Sequence, residues 1–121
     1  MVEQAVPRIS IGMPVYNGAK HIREALDSLL GQTFSDLELI IGDNASTDDT
    51  EAICREYAAR DSRIRYIRHE KNIGAIKNFD FVYRQSRGQY FKWAAHDDKI
   101  APTFLERCAE VLDRDPEVVL C

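Results

Sequence analysis

Four short polar segments in this sequence hold the side chains best able to do chemistry, and each follows an apolar run. They occupy residues 14–17 (Pro-Val-Tyr-Asn), 43–46 (Asp-Asn-Ala-Ser), 72–74 (Asn-Ile-Gly) and 96–98 (His-Asp-Asp). Asn, Asp and Gly favour turns everywhere, so one such segment would be ordinary. Four of them, each at the end of an apolar run, are typical of a ligand site built from the loops at one edge of a sheet.

The adjacent carboxylates Asp97 and Asp98 are candidate ligands for a hard divalent cation. One or two carboxylates, several waters and the phosphates of a bound ligand together hold a hard divalent cation such as Mg²⁺ or Mn²⁺, which then bridges diphosphate oxygens. The six glycines, at positions 12, 18, 31, 42, 74 and 88, form neither a GxG fingerprint nor a GxxxxGK[ST] loop. Any nucleotide phosphates would therefore need a source of positive charge other than a glycine cradle.

The elements that must position these segments alternate between strand and helix. Apolar runs at 8–13, 37–42, 64–68 and 89–95 predict strands, and a fifth strand starts at 117–121. Apolar residues at helical spacing predict a helix after each of the first four strands, marked in the third helix by Ile76, Phe79 and Tyr83. The βαβαβαβαβ order predicts an α/β fold, an open and mostly parallel sheet with helices on both faces. Trp93 is expected to pack in the core under the third helix.

Length, charge and cysteine usage exclude several classes of protein. A chain of 121 residues forms one core and has little room for a second. The net charge of -4 argues against a general binder of nucleic acid or anionic membranes. The sequence shows no membrane-spanning run and no signal peptide. Three widely spaced cysteines without a CxxC pair fit a reducing compartment and offer no zinc site. These features predict a cytoplasmic protein, with a place at the inner face of the membrane left open.

The sequence stops inside the apolar run 117–121, with no turn or polar tail behind it. This strand could simply be terminal, but the ends of proteins are more often polar and frayed. We therefore expect residues 1–121 to be a single domain, truncated at its C-terminal end.

The polar segments and the strands before them resemble those of family 2 glycosyltransferases, enzymes with the GT-A fold. The resemblance rests on residues 9–17 (ISIGMPVYN), 37–48 (LELIIGDNASTD), 72–74 (NIG) and 96–98 (HDD) with Pro102. It spans about residues 8–121 and implies that residues 1–121 are a single glycosyltransferase-like domain that binds a nucleotide-diphosphate sugar. The P-x-Y-N opening together with the D-N-x-S-x-D stretch is specific, whereas a lone Asp-Asp pair would be weak.

The resemblance implies where a nucleotide would bind. Pro14, Tyr16 and Asn17 match the loop that lines the uracil pocket, and Asp43 matches the carboxylate that accepts a hydrogen bond from the uracil imide. Alternatively, Asp43 only caps the turn that follows the second strand. The segment 72–77 matches the part that closes over the base and ribose, with a lysine where the family often has arginine near the phosphates. The residues assigned to nucleotide binding are Pro14, Tyr16, Asn17, Asp43, Asn44, Ser46, Asn72 and Lys77.

The resemblance also implies a metal site and shows one departure. Asp97 and Asp98 match the DxD-type region that holds the divalent metal. Counting back from Pro102 places Ala95 where the family has its first Asp, so that contact with the donor is missing or is supplied by His96. The family's catalytic base lies later in the chain, so we expect it beyond Cys121 and assign no base here.

The activity implied by the resemblance is metal-dependent transfer of a sugar from a nucleotide-diphosphate donor, a UDP-sugar, to an acceptor hydroxyl with inversion. The acceptor would be a glycan or a lipid-linked molecule in the synthesis of cell-envelope polysaccharide or glycan. The main alternative is a non-catalytic nucleotide-binding module of the same fold. A nucleotidyltransferase is disfavoured because a glycine-rich basic loop does not follow the first strand, and a flavodoxin-like signalling domain fits the strand-end Asn and Asp loops poorly.

Overall fold

The structure, a computed structural model, describes residues 6–115, and over them it shows the predicted alternation of strands and helices. The predicted fifth strand at 117–121 lies outside the described residues. Among the helices of the described part, none is both long enough and apolar enough to cross a bilayer. The elements are β1 (Ile9–Val15), α1 (Ile22–Leu30), β2 (Leu37–Asp43), α2 (Thr50–Arg60), β3 (Ile64–Arg68), α3 (Ala75–Arg84), β4 (Tyr90–Trp93) and α4 (Phe104–Arg114).

The four described strands pair in parallel in the order β3-β2-β1-β4. The central strands β1 and β2 are buried almost throughout, as expected for continuous apolar runs in a parallel sheet. Val15 pairs with Asp43, and Asp43 pairs with Arg68, so these three strands end level with one another. The strand order reverses between β1 and β4, and open α/β sheets bind ligands outside such a reversal. The predicted α/β fold class is confirmed.

The two faces of the sheet are covered differently. One face of β1 and β2 carries large apolar side chains that pack with α1, α2 and α4 into the main core. The opposite face, which α3 covers, carries Ser10, Gly12, Glu38 and Gly42. Cβ atoms at either glycine would lie within 2.7 Å of Val82 on α3, so the absence of side chains is what lets this helix approach the strands.

The predicted third helix is confirmed as α3, but the apolar residues that marked it in the sequence are not the ones it buries. Ile76, Phe79 and Tyr83 are exposed by 87%, 45% and 54%, and the buried side chains are those of Asn78 and Val82. The close approach to the two glycines explains why this other face turns inward. Trp93 is likewise 41% exposed instead of lying in the core, and its ring packs against Phe79 and Phe91.

Substituting Gly42 tests this close approach. A Cβ there would lie 2.4 Å from Cγ2 of Val82 and 2.8 Å from Oδ1 of Asn78. Gly42→Ala is therefore expected to lower the free energy of unfolding by about 1–3 kcal/mol, as overpacked cores do. Val82→Ala removes the clashing methyl group, so the double variant should be destabilised by less than the sum of the two single changes. Strict additivity in urea unfolding would contradict this packing.

Candidate functional site

A cavity of about 500 Å³ opens at the carboxyl edge of the sheet, where the strand order reverses. Its volume is in the range of small-molecule sites. It brings together residues at or just after the carboxyl ends of β1, β2 and β4 with the first turns of α3. The lining residues are Pro14, Val15, Tyr16, Asn44, Ala75, Asn78, Phe79, Trp93, Ala94, Ala95, His96 and Asp98. Of the predicted site residues, the cavity is lined by Pro14, Tyr16, Asn44 and Asp98.

The loops after β1 and β2 are locked to each other by side chains predicted to bind nucleotide. The Oγ of Ser46 accepts a hydrogen bond from the backbone N–H of Asn17 at 2.9 Å. Oδ1 of Asn17 accepts from the backbone N–H of Thr47 at 2.8 Å. Asn17 and Ala45 both have positive φ, 53° and 62°, which Asn tolerates better than Ala. Asn17 and Ser46 do not line the cavity; their hydrogen bonds instead fix the conformation of the two loops that border it.

Asp43 is fully buried, and both of its carboxylate oxygens are used within the protein. Oδ1 accepts from the backbone N–H of Ser46 at 2.9 Å, and Oδ2 accepts from the hydroxyl of Tyr66. The guanidinium of Arg68 lies 3.6 Å from Oδ2 and donates to the carbonyl of Ser46 at 2.9 Å. Burial and the bond to Asp43 raise the pKa of Tyr66, so its hydroxyl keeps its proton at neutral pH. The Asp43 side chain does not line the cavity.

Asn44 is the neighbouring residue that does line the cavity, although it is only 3% exposed. Its backbone N–H donates to the carbonyl of Val15 at 2.9 Å and so continues the pairing of β2 with β1. Its Oδ1 accepts from the backbone N–H of Ile73 at 2.8 Å, which fixes the loop after β3. Asn44 therefore ties three parts of the carboxyl edge together.

The loop between β3 and α3 places its two predicted residues outside the cavity lining. Oδ1 of Asn72 accepts from the backbone N–H of Gly74 at 2.8 Å, forming a turn in which Gly74 has a φ of 88°. That left-handed conformation suits glycine. Asn72 and Lys77 are both exposed, and neither lines the cavity. Their predicted contacts with nucleotide stay predictions.

Asn78 is a cavity residue that the sequence prediction missed. It is 2% exposed, its Nδ2 donates to the carbonyl of Gly42 at 2.9 Å, and its Oδ1 lies 2.9 Å from Nε2 of His69. The carbonyl of Gly42 can only accept, so Oδ1 of Asn78 must accept from His69. Its position four residues before Val82, on the buried face of a short helix, was the signal that could have found it.

The carboxylates predicted to hold metal follow β4. Asp98 and His96 line the cavity, whereas Asp97 is exposed and is not part of the lining. Within residues 6–115, no three His, Cys, Asp or Glu side chains form a ready-made metal site. Two neighbouring carboxylates completed by phosphate oxygens and waters are nevertheless a donor set that Mg²⁺ accepts. The residues present fit a cation bound together with a diphosphate.

Known proteins share both this sequence pattern and this fold. Chondroitin synthase from Escherichia coli is 39% identical over 111 residues, which cover 91% of this chain and 16% of the relative. TarS from S. aureus, solved in complex with UDP, superposes with a TM-score of 0.82 at 29% identity, covering 88% of this chain and 32% of TarS.

A mannosyltransferase from Pyrobaculum calidifontis, solved with GDP-Man and Mn²⁺, gives a TM-score of 0.82 at 26% identity, covering 94% of this chain and 34% of that protein. The chain thus spans about a third or less of the length of the proteins it matches. The superpositions identify the sheet as the Rossmann-like part of the GT-A fold. The family model described as Glycosyl transferase family 2 matches residues 10–121. The chain therefore belongs to glycosyl transferase family 2.

Proposed function

We propose that this chain is the donor-binding part of a metal-dependent glycosyltransferase that uses a UDP-sugar. The cavity at the reversal of strand order carries this proposal, because Tyr16, Asn44 and Asp98 line it together. TarS, which shares the fold, was solved with UDP, and this supports uracil as the base.

The part of the cavity between the loops after β1 and β2 suits a nucleobase. Tyr16 is 47% exposed and lines the cavity together with Pro14, so an aromatic side chain is available to a ligand there. Aromatic faces stack on bases, and buried polar groups beside them fix the orientation of the ligand. Asn44 is such a group. We therefore place the base between Tyr16 and Asn44.

The part of the cavity after β4 suits the diphosphate. Asp97 and Asp98 would hold Mg²⁺ or Mn²⁺ jointly with the phosphate oxygens, and the mannosyltransferase solved with Mn²⁺ supports this assignment. When bound, the cation supplies positive charge that stabilises the departing diphosphate. His96 takes the place next to the donor sugar, since Ala95 stands where the family has its first Asp.

The reaction we propose is a single displacement with inversion. The acceptor hydroxyl oxygen forms a bond to the anomeric carbon, its proton passes to a carboxylate base, and the bond to the nucleoside diphosphate breaks with the electron pair leaving on phosphate oxygen. The residues described here orient the donor and exclude water from one side of it. The base is proposed to lie beyond Cys121. The acceptor is a glycan or a lipid-linked molecule.

A cytoplasmic location is part of the same proposal. Cys54 is a thiol buried in the core, where burial raises its pKa to about 12 and keeps it unreactive. Thiols used as small apolar residues are typical of reducing compartments.

Thermal unfolding of the 121-residue chain with UDP, GDP or ADP, each with and without Mn²⁺, tests the proposal. A ligand at about 100 times its dissociation constant adds about 2.7 kcal/mol of stability. The midpoint should therefore rise by roughly 10 °C with UDP and Mn²⁺. Asp98→Ala should abolish the part of the rise that requires Mn²⁺, and Asp97→Ala should reduce it.

Asp36→Ala is the matched control, because Asp36 is exposed at the amino end of β2, at the opposite edge of the sheet. It should leave the rise unchanged. Absence of any rise with all three nucleotides would contradict the proposal. A rise with UDP that is the same with and without Mn²⁺ would contradict the metal dependence alone.

A further inference from the structure

We propose that Ser28 and Gln32 are positioning residues for the carboxylates of Asp97 and Asp98. Ser28 lies in the last turn of α1 and Gln32 lies two residues after this helix. Their side chains bind the backbone of residues 100–105, which directly follow the carboxylates. This role rests on the proposed metal-dependent function and adds to it the groups that keep the metal ligands in place.

The carboxylates lie on a turn whose first end is fixed by the sheet. The backbone N–H of Ala94 donates to the carbonyl of Gly12 on β1 at 2.9 Å, which holds the chain at the end of β4. The N–H of Asp98 donates to the carbonyl of Ala95 at 3.3 Å and closes a turn over residues 95–98. That bond lies within the turn, so the direction in which the chain leaves Asp98 depends on the contacts that follow.

Ser28 holds the chain two residues after Asp98. Its Oγ accepts a hydrogen bond from the backbone N–H of Ile100 at 2.8 Å and donates to the carbonyl of the same residue at 3.0 Å. One half-buried hydroxyl thus binds both backbone groups of Ile100. The turn is therefore held at Ala94 on one side and at Ile100 on the other, which restricts the positions open to its carboxylates.

Gln32 holds the residues that come next and is only 5% exposed. Its Nε2 donates to the carbonyl of Ala101 at 2.8 Å, and its Oε1 accepts from the N–H of Leu105 at 3.1 Å. Leu105 lies in the first turn of α4, where the side chain of Thr103 forms no capping hydrogen bond. The amide of Gln32 supplies that cap instead, and so it joins the start of α4 to the end of α1.

These contacts would stabilise the fold with or without a ligand, so a loss of stability alone does not demonstrate positioning. A positioning role makes a further prediction, because the base is placed on Tyr16 and Asn44, which other loops hold. Loosening residues 100–105 should weaken the part of UDP binding that requires Mn²⁺ and spare the part that does not. Removing the contacts that orient metal ligands typically lowers metal affinity by about 10–100-fold.

The experiment is calorimetric titration of the 121-residue chain with UDP, with and without Mn²⁺. The ratio of the two affinities is the Mn²⁺ enhancement. Ser28→Ala should lower this enhancement by about tenfold, while UDP affinity without Mn²⁺ stays within about twofold of the wild type. Ser28→Thr keeps the hydroxyl and should restore it. Gln32→Met is similar in size but has no amide, and it should act like Ser28→Ala.

Glu24→Ala is the matched control. Glu24 lies on α1 one turn before Ser28, and its carboxylate is 3.5 Å from Nζ of Lys99, the residue after Asp98. Both side chains are about two-thirds exposed, at 66% and 68%, so this pair holds the loop only weakly. The variant should keep the full Mn²⁺ enhancement.

A double variant tests whether Ser28 acts through Asp98. Once Asp98→Ala has removed the carboxylate, adding Ser28→Ala should not weaken UDP binding with Mn²⁺ any further, because the group that Ser28 positions is gone. A further loss of about tenfold in the double variant would contradict a role through this carboxylate.

Thermal midpoints show whether each variant remains folded. A Mn²⁺ enhancement that Ser28→Ala and Gln32→Met both retain within twofold would overturn the inference and leave the proposed function standing. Equal losses of UDP affinity with and without Mn²⁺ would overturn it as well, since they would indicate a general loosening of the site. Wild-type binding of UDP that Mn²⁺ does not strengthen would overturn the metal dependence, and this inference with it. Failure of the wild type to bind UDP at all would overturn the proposed UDP donor and, with it, this inference.

Discussion

Glu38→Ala is expected to lower the free energy of unfolding by about 2–4 kcal/mol, although Glu38 lies far from the cavity. This carboxylate is 3% exposed on the face of β2 that α3 covers, opposite Ser10 of β1. It accepts from the hydroxyl of Ser10 and from the backbone N–H of Arg87 at 2.8 Å. Its Oε1 lies 3.2 Å from Arg65 and 3.0 Å from Arg87. Removing it leaves the buried hydroxyl of Ser10 without an acceptor and the N–H of Arg87 with only Oγ of Ser10 at 3.2 Å, while the arginines partly regain water.

The matched control is Asp80→Ala. Asp80 pairs with Arg84 on the exposed surface of α3 at 2.8 Å, and exposed pairs one helical turn apart contribute only a few tenths of a kcal/mol. The midpoint of thermal unfolding should fall by roughly 8–16 °C for Glu38→Ala and by about 2 °C or less for Asp80→Ala. Equal effects of the two substitutions would contradict the conclusion that the buried contacts of Glu38 stabilise the fold.

The same carboxylate makes stability depend on pH. Burial acts to raise the pKa of Glu38, but the hydrogen bonds from Ser10 and Arg87 outweigh it and hold the pKa below its ordinary value. Its contribution is complete above the pKa of the unfolded state, about 4.3, and is lost as pH falls through the folded value. The difference in unfolding free energy between wild type and Glu38→Gln should therefore shrink below about pH 4. A difference that is the same at about pH 7 and pH 3 would show that the charge contributes nothing.

The sequence predicted the order of elements well because the signals are local. Apolar runs, helical spacing and turn residues each depend on a few neighbouring positions, and parallel strands necessarily end at one edge. The burial of Glu38 was not predictable in this way. A single charge within an apolar run becomes acceptable only when Arg65 and Arg87, 27 and 49 positions further along the chain, reach it.

The buried face of α3 could not be read from the sequence for a related reason. Helical periodicity identifies an apolar stripe, here Ile76, Phe79 and Tyr83, but does not say which side of the helix meets the sheet. That choice depends on Gly12 and Gly42, which lie on two strands and admit Val82 between them. These two glycines, distant in sequence, determine that Val82 faces the sheet. The apolar stripe of α3 is therefore exposed.

In the predicted site, the sequence identified a loop that borders the cavity but did not distinguish the positions of its adjacent residues. Asp43 and Asn44 are adjacent, yet Asp43 is enclosed by Tyr66 and Arg68 of β3 whereas Asn44 lines the cavity. Which of two adjacent polar residues faces a ligand depends on the turn and on a neighbouring strand. A family resemblance therefore predicts which loop borders the cavity more reliably than it predicts which atom of that loop contacts a ligand.

Asp43→Ala is expected to have the largest effect of the substitutions considered, about 3–5 kcal/mol, because it strips a fully buried carboxylate from three partners. The N–H of Ser46 and the hydroxyl of Tyr66 would be left without an acceptor, and Arg68 would keep only the carboxylate of Glu51, 3.8 Å away, as a counter-charge. Urea unfolding measures the loss. Asp49→Ala, on the exposed side of the same loop, should change stability by less than about 0.5 kcal/mol.

Asp43→Asn then separates support of the loop from contact with the base. The amide keeps an acceptor for Ser46, and its nitrogen can donate to the hydroxyl oxygen of Tyr66, so we expect a loss of only about 1–2 kcal/mol. If Asp43 supports the loop, the variant should bind UDP within about threefold of the wild type, because the side chain of Asp43 does not line the cavity. If instead its carboxylate accepts from the uracil imide, UDP affinity should fall by about tenfold or more while the fold remains intact. The second result would assign the base to Asp43 and require the contacts of Tyr66 and Arg68 to rearrange on binding.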